Sequence, residues 1–258
     1  MNTDDWADFP YENDAFSYPG KKLAEAWEAL HRGDTEPLPD SDELQEAWRR
    51  FHAGDFAAAV KQADQVGLEA HAAANKASGI YADYLEEDEK TKIAIYQAGI
   101  KRAEKAISAY PDDANAHYFH AFLLGRYSQG ISVTQALTQG FGGKIRESLE
   151  AALELSPNHA EAHTAMGLYH AEIIDKVGRM VGKLTYGASA DKAMEHFERA
   201  LEITPDAPIA HIEYGNGLYL LFGDKSLDES NAAYEKAAGI EPIDAMQQLD
   251  VEFAKASI

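Results

Sequence analysis

The sequence predicts an all-α fold, a superhelical solenoid of antiparallel helix pairs with long insertions between some of the helices. Three observations carry that reading. Prolines recur at 111, 157 and 205, spaced 46 and then 48 residues apart, and each stands six residues before a histidine: His117, His163 and His211. Upstream of each proline lies an amphipathic run, "KRAEKAISAY", "RESLEAALEL" and "AMEHFERALEI", with alanines and large apolar residues at helical spacing. A helix, a proline turn and a second helix therefore repeat, and such a unit buries its apolar face only by stacking on its neighbours.

The elements follow in chain order. Residues 1–20 hold five acids, no base and five aromatics (Trp6, Phe9, Tyr11, Phe16 and Tyr18). The acids alone would suggest disorder, but the aromatics need a surface, so this tail is expected to pack on the helices, along their groove or as a cap on the first pair. "EAWEALHRGD" (25–34) is echoed by "EAWRRFHAGD" (46–55). Both close on Gly-Asp, where a glycine can take the left-handed conformation that ends a helix. The second runs on into "FAAAVKQAD", so Leu44 to Val66 is read as one unit. Helices over 68–85 and 90–109, joined by "LEEDEK", supply the next pair. The proline-marked units follow, with a further proline in "AAGIEPIDAM" at Pro242. The segment 243–256 is expected to be a final capping helix, with Met246, Leu249 and Phe253 covering the last repeat. Residues 21–258 are read as a single helical repeat domain.

Within the repeats, small residues stand four positions after each repeated histidine, at Ala121, Gly167 and Gly215, and the following helices carry Ala193-Phe197-Ala200 and Ser230-Tyr234-Ala237. Two helices cross closely only where one of them offers no bulk. These residues resemble the tetratricopeptide repeat family, whose units are helix-turn-helix pairs of about 34 residues. The resemblance spans roughly residues 40–258. It implies a right-handed superhelix whose first helices line a concave face. This chain departs from the family in placing histidine at an aromatic position and in its longer units. The extra residues are "GRYSQGISVTQALTQGFGGK" and "DKVGRMVGKLTYGAS". Long units of this kind are similar to the tetratricopeptide component of TRAP-type bacterial transporters and to regulators of microtubule dynamics.

Composition narrows the function. The net charge of −21 disfavours nucleic acid, whose phosphates would be repelled, and anionic lipid for the same reason. No cysteine is present, which removes disulfides, thiolate metal sites and cysteine nucleophiles. No apolar run approaches the roughly 18 residues of a membrane span, and "MNTDDWADFP" does not read as a secretory signal. A cytoplasmic protein without membrane insertion is expected, or a periplasmic one if a leader was removed.

Catalytic and metal motifs fail. "PNHAEAHTAMGLYH" (157–170) offers His-x-Glu-x-His rather than His-Glu-x-x-His, and Glu161 is rotated about 200° from His159 on a helix. His163 sits at the repeat position, and His170 falls where a packing residue belongs. No metal is therefore expected among His120, His163 and His170. "GFGGK" and "GRMVGK" lack the phosphate-loop spacing, and "GASAD" lacks the last glycine of a nucleophile elbow. The chain is read as non-enzymatic, with no cofactor.

By the tetratricopeptide phase, the residues implied to face the groove are Tyr118, Phe122 and Arg126, then Thr164, Leu168 and Glu172, then Ile212, Asn216 and Tyr219. That set is apolar, with one cation, so capture of an acidic peptide tail is disfavoured. The expected function is a scaffold or adaptor holding a protein or peptide partner. The alternative is a carrier whose glycine-rich insertions close a pocket over a small apolar or amphipathic ligand.

Overall fold

Four helix starts in this chain are set by short polar side chains. Ser41, Asp55, Asp88 and Asp113 each accept a hydrogen bond from the backbone N–H three residues on, satisfying a donor that the first turn leaves open. The computed structural model describes residues 2–11 and 13–258. Met1 and Glu12, which belong to the tail read from the sequence, lie outside the described residues. Among the described residues every regular element is helical. The α-helices are α1 Lys22–Leu30, α2 Asp42–His52, α3 Phe56–Val66, α4 His71–Tyr84, α5 Glu89–Ala109, α6 Ala114–Gln129, α7 Val133–Thr138, α8 Phe141–Leu155, α9 Ala160–Val177, α10 Arg179–Tyr186, α11 Ala190–Ile203, α12 Pro208–Phe222, α13 Leu227–Ala238 and α14 Ala245–Ser257. The expected helices over 68–85 and 90–109 are a 3-10 turn with α4, and α5.

The chain divides into two units. One comprises residues 1–31, 36–132 and 243–246; the other comprises 32–35, 133–242 and 247–258. In the first, successive helices α2 to α6 pack on their neighbours. The aromatic tail lies on them: Trp6 stacks on Tyr81 with ring centroids 3.9 Å apart, Phe9 packs on Phe56, and Phe16 is buried. Gly54 takes φ +87° at the end of α2, and the Phe9 ring occupies the space a side chain there would need. Gly33, by contrast, is not left-handed. Its carbonyl accepts the Glu161 N–H at 3.0 Å, within the second unit.

In the second unit α9 packs on both α11 and α12, and α12 packs on α13. The insertions expected between paired helices contain α7 and α10. In α14, Leu249 and Ala254 are buried, the latter against Ile212 and Ala237. Phe253, expected to be covered, is 45% exposed beside Tyr234.

The repeating proline turns share one construction. In each, the N–H of the residue before the proline bonds back to the preceding helix: Tyr110 to Ala106 O, Ser156 to Ala152 O, Thr204 to Ala200 O. The histidine six residues on then donates Nε2–H to the proline carbonyl, at 2.8 Å for His117, 3.1 Å for His163 and 2.9 Å for His211. A carbonyl can only accept, so Nε2 carries the proton in all three. The repeated histidine is therefore a turn lock.

Close crossing is achieved with glycine. Phe197 of α11 is 1% exposed, and its ring occupies the space above Gly167 of α9 and Gly217 of α12. A Cβ at Gly167 would lie 2.8 Å from that ring. Tyr234 of α13 covers Gly215 in the same way. In the first unit Phe122 and Leu123 of α6 fill the space above Gly79 and Gly99 respectively. Gly167→Leu is expected to destabilise the protein by about 1–3 kcal/mol or more, since the packed ring cannot move aside. Gly125 lies inside α6 with open space where its Cβ would be, so Gly125→Ala is expected to stabilise by about 0.5–1 kcal/mol. Urea unfolding of both variants measures the contrast.

Candidate functional site

The groove residues read from the sequence divide between the two units. In the first, Tyr118, Phe122 and Arg126 form a ladder along α6. The Tyr118 and Phe122 rings stack at 6.1 Å, and the Arg126 guanidinium lies 5.6 Å from the Phe122 ring while pairing with Asp83 at 2.8 Å. Tyr118 is buried, and Phe122 reaches over Gly79 of α4. In the second unit Thr164 is buried and returns its hydroxyl to Ala160 O, Leu168 packs against the Phe197 cluster, and Glu172 pairs with Lys176. Ile212 is 2% exposed, packed on Ala237 and Ala254. Asn216 bridges Glu213 and the Tyr234 hydroxyl. Tyr219 stands 50% exposed near the end of α12.

The insertion helix α10 carries further exposed apolar groups: Met180 at 76%, Leu184 at 81%, and Val181. Arg179 anchors its start, donating to Leu221 O at 3.2 Å with its guanidinium 6.0 Å from the half-buried Phe222 ring. At its other end the Tyr186 carbonyl accepts from Arg146 Nη1 and from the Tyr169 hydroxyl. The two glycines at its borders, Gly178 and Gly187, have φ of +81° and +66°. That is backbone a bulkier residue resists.

Between α8, α9 and α11 lies a cavity of about 390 Å³. Arg146, Glu150, Leu153 and Glu154 line it from α8, Met166 and His170 from α9, and Lys192, Glu195 and His196 from α11, with Gly187 at the edge. Each set falls at helical spacing, so each helix turns one face inward. His170, expected as a packing residue, does pack: it is 4% exposed. It also makes no hydrogen bond through Nδ1. His163 and His196 meet Nδ1 to Nδ1 at 2.9 Å. Because His163 carries its proton on Nε2, His196 is the donor in that bond, which leaves its own Nε2 as a lone pair. Burial drives the pKa of His170 down to about 4, helped by His196, Lys192 and Arg146. His196 is likewise lowered to about 4, by burial first and then by His163 and Lys192. His159 has a different task. Its Nδ1 accepts the Ala162 N–H at 3.1 Å and so caps α9.

A second imidazole cluster lies in the first unit, unsuspected from the sequence because His52 and the Asp244 it meets are 192 residues apart. His52 Nδ1 is 2.8 Å from Asp244, and His52 Nε2 is 3.2 Å from His31 Nε2. His31 stacks on Trp27. All three polar residues are 3% exposed or less. The cluster ties the ends of α1 and α2 to the segment 243–246 and offers a substrate no access. Among the described residues no group of three or more His, Asp or Glu is placed to hold a metal ion. None of the described helices is long and apolar enough to cross a membrane.

Among the described residues this is an all-helical architecture, with near-constant spacing between its proline turns and glycine at its crossings. Residues 40–214 match the family of regulator of microtubule dynamics proteins 1-3, and the chain belongs to that family. Of the narrower resemblances in the sequence, this is the one the match supports. The chain is 24% identical over 154 residues to regulator of microtubule dynamics protein 3 of Rattus norvegicus, covering 57% of this chain and 32% of that protein. It is 25% identical over 133 residues to the Bos taurus protein of that name (48% of this chain, 28% of that one). Over 148 residues it is 24% identical to the Mus musculus protein (55% and 31%). The match thus spans less than a third of the length of each relative.

The low imidazole pKa values have a consequence for stability. His170 and His196 bind protons more weakly when folded than when unfolded, where the value is about 6.5. Their contribution to stability is complete above about pH 6.5 and is lost as the pH falls toward about 4. The melting temperature is expected to drop across that window. A His170→Gln/His196→Gln variant should show a shallower drop, and equal slopes would contradict the assignment.

Proposed function

We propose that this chain is a non-enzymatic interaction scaffold of the tetratricopeptide type, its helix pairs stacked as a solenoid and its partner a protein or peptide. The observation that carries the reading is α10. Met180 and Leu184, one helical turn apart, are among the most exposed large apolar side chains described. Tyr219 and Phe222 are also open nearby in the sequence of α12, with Arg179 against Phe222. Scattered apolar residues on a surface need no explanation, but a helix that presents successive ones marks an interaction site. The relatives' names, regulators of microtubule dynamics, support a protein partner. In this reading Tyr118, Phe122, Arg126, Thr164, Leu168, Glu172, Ile212, Asn216 and Tyr219 shape the concave face. Tyr219 is the residue best placed to touch the partner; Ile212 and Thr164 act from beneath through packing.

The test is capture of partners from a cell lysate by the wild type and by Met180→Asp/Leu184→Asp. Both positions are exposed, so the melting temperature should stay within a degree or two. At least one captured protein should be lost with the variant. An unchanged capture profile would remove α10 from the interface.

A second reading is supported by the cavity. Its volume of about 390 Å³ lies within the range of small-ligand sites, and Gly187, at the border of the glycine-rich insertion, lines its edge. In that reading the chain carries a small ligand. Native mass spectrometry of gently purified protein separates the two: a co-purifying protein supports the scaffold, a co-purifying small molecule the carrier.

A further inference from the structure

The groups lining the cavity of the second unit are unusual in how little they are used. His170 is 4% exposed, yet Nδ1 has no hydrogen-bond partner. A buried polar atom left unpaired costs free energy that a native fold seldom tolerates without use. Arg146 sends Nη1 to Tyr186 O at 3.0 Å, but its buried Nε makes no hydrogen bond; the nearest carboxylate oxygen, of Glu150, is 3.5 Å away. Lys192 makes no hydrogen bond or ion pair among the described residues, in a chain whose net charge is −21. Three side chains that can donate a hydrogen bond thus line one cavity, His170 in the tautomer that protonates Nδ1, and Leu153 and Met166 supply an apolar wall.

We propose that this cavity binds a small monocarboxylic acid, its carboxylate held by Arg146, Lys192 and the His170 imidazole and its short apolar body against Leu153 and Met166. The guanidinium and a buried N–H form charge-assisted bonds to a carboxylate. The remaining lining groups select the charge. Glu150, Glu154 and Glu195 are exposed around the opening and repel a dianion twice as strongly as a monoanion. They favour a carboxylate over a phosphate. An anion seated in the cavity raises the imidazole pKa values, because it stabilises their charged forms.

The proposal rests on the carrier reading of the cavity and is independent of any partner at α10. Its test is an NMR titration of the whole chain, labelled at histidine, with hexanoate and in parallel with inorganic phosphate. Hexanoate is expected to shift the His170 and His196 resonances saturably, to leave His117 and His211 in place, and to raise the pH at which His170 titrates. Lys192→Ala, at an exposed position that leaves the fold intact, should weaken hexanoate about two- to fivefold, as removal of a solvent-exposed charged partner does. Arg146→Lys, which keeps the charge and loses the fork, should weaken it less. Phosphate binding as tightly as hexanoate would overturn the monocarboxylate assignment. Shifts that do not saturate, or that survive Lys192→Ala unchanged, would overturn the site. Should hexanoate fail while native mass spectrometry finds another small molecule bound, the ligand class falls and the carrier reading stands.

Discussion

The Phe197 ring between Gly167 and Gly217 is the contact on which the second unit depends. Three helices meet around one side chain, and two of them can do so only because they present backbone where a Cβ would collide. Interiors are packed to crystal density, so this approach is a discrete fit and not a loose one. The same approach positions the chemistry. Bringing α11 against α9 sets His196 beside His163 and 6.0 Å, ring to ring, from His170. The wedge and the cavity wall are faces of the same two helices.

Histidine serves several unrelated purposes in this chain, separated by which nitrogen is engaged. At His117, His163 and His211, Nε2–H closes the proline turn. At His159 the Nδ1 lone pair caps a helix. At His52 both nitrogens are used, one toward Asp244 and one toward His31, in an interior tie between distant segments. His71 and His170 are each buried with no hydrogen bond at Nδ1, and in His71 the other ring nitrogen meets Asp113 at 2.8 Å. The lock at His163 also reaches the cavity indirectly. It fixes the proton on Nε2, which makes His163 Nδ1 the acceptor, and that in turn fixes the tautomer of His196.

Charge distribution separates the protein's surface from its sites. The large acidic excess is carried mainly by exposed carboxylates, and the surface ion pairs among them contribute little to stability. The cations that matter are the few placed by the fold beside apolar groups. Arg126 runs along the Tyr118–Phe122 ladder, Arg179 pins the start of α10, and Arg146 holds its end. Arg146 and Arg179 together explain why an insertion with glycine at both borders is held as an ordered helix. Family membership covers 40–214, which includes α10, the cavity and the proline turns at 111, 157 and 205.

The helices themselves were legible in the sequence because their signals are local. Caps lie three residues from the groups they satisfy, proline turns recur at near-constant intervals, and small residues mark crossings, so Gly167 and the Ala193-Phe197-Ala200 pattern each stand out as crossing positions, while their contact with one another is set by the packing. Glycine's conformation was legible only in part: Gly54 is left-handed as its Gly-Asp context suggested, while Gly33 in the same context is not, because its backbone is committed to Glu161. Exposure was harder still. Phe253 and Ile212 are both apolar residues on helices of similar pattern, and only packing against α13 and α14 decided that Ile212 is covered and Phe253 is half open. The cavity was invisible for the same reason. Arg146, His170 and Lys192 lie on three helices with no shared motif, and what unites them is unspent hydrogen-bonding capacity, a property of the surroundings of a side chain and not of its identity.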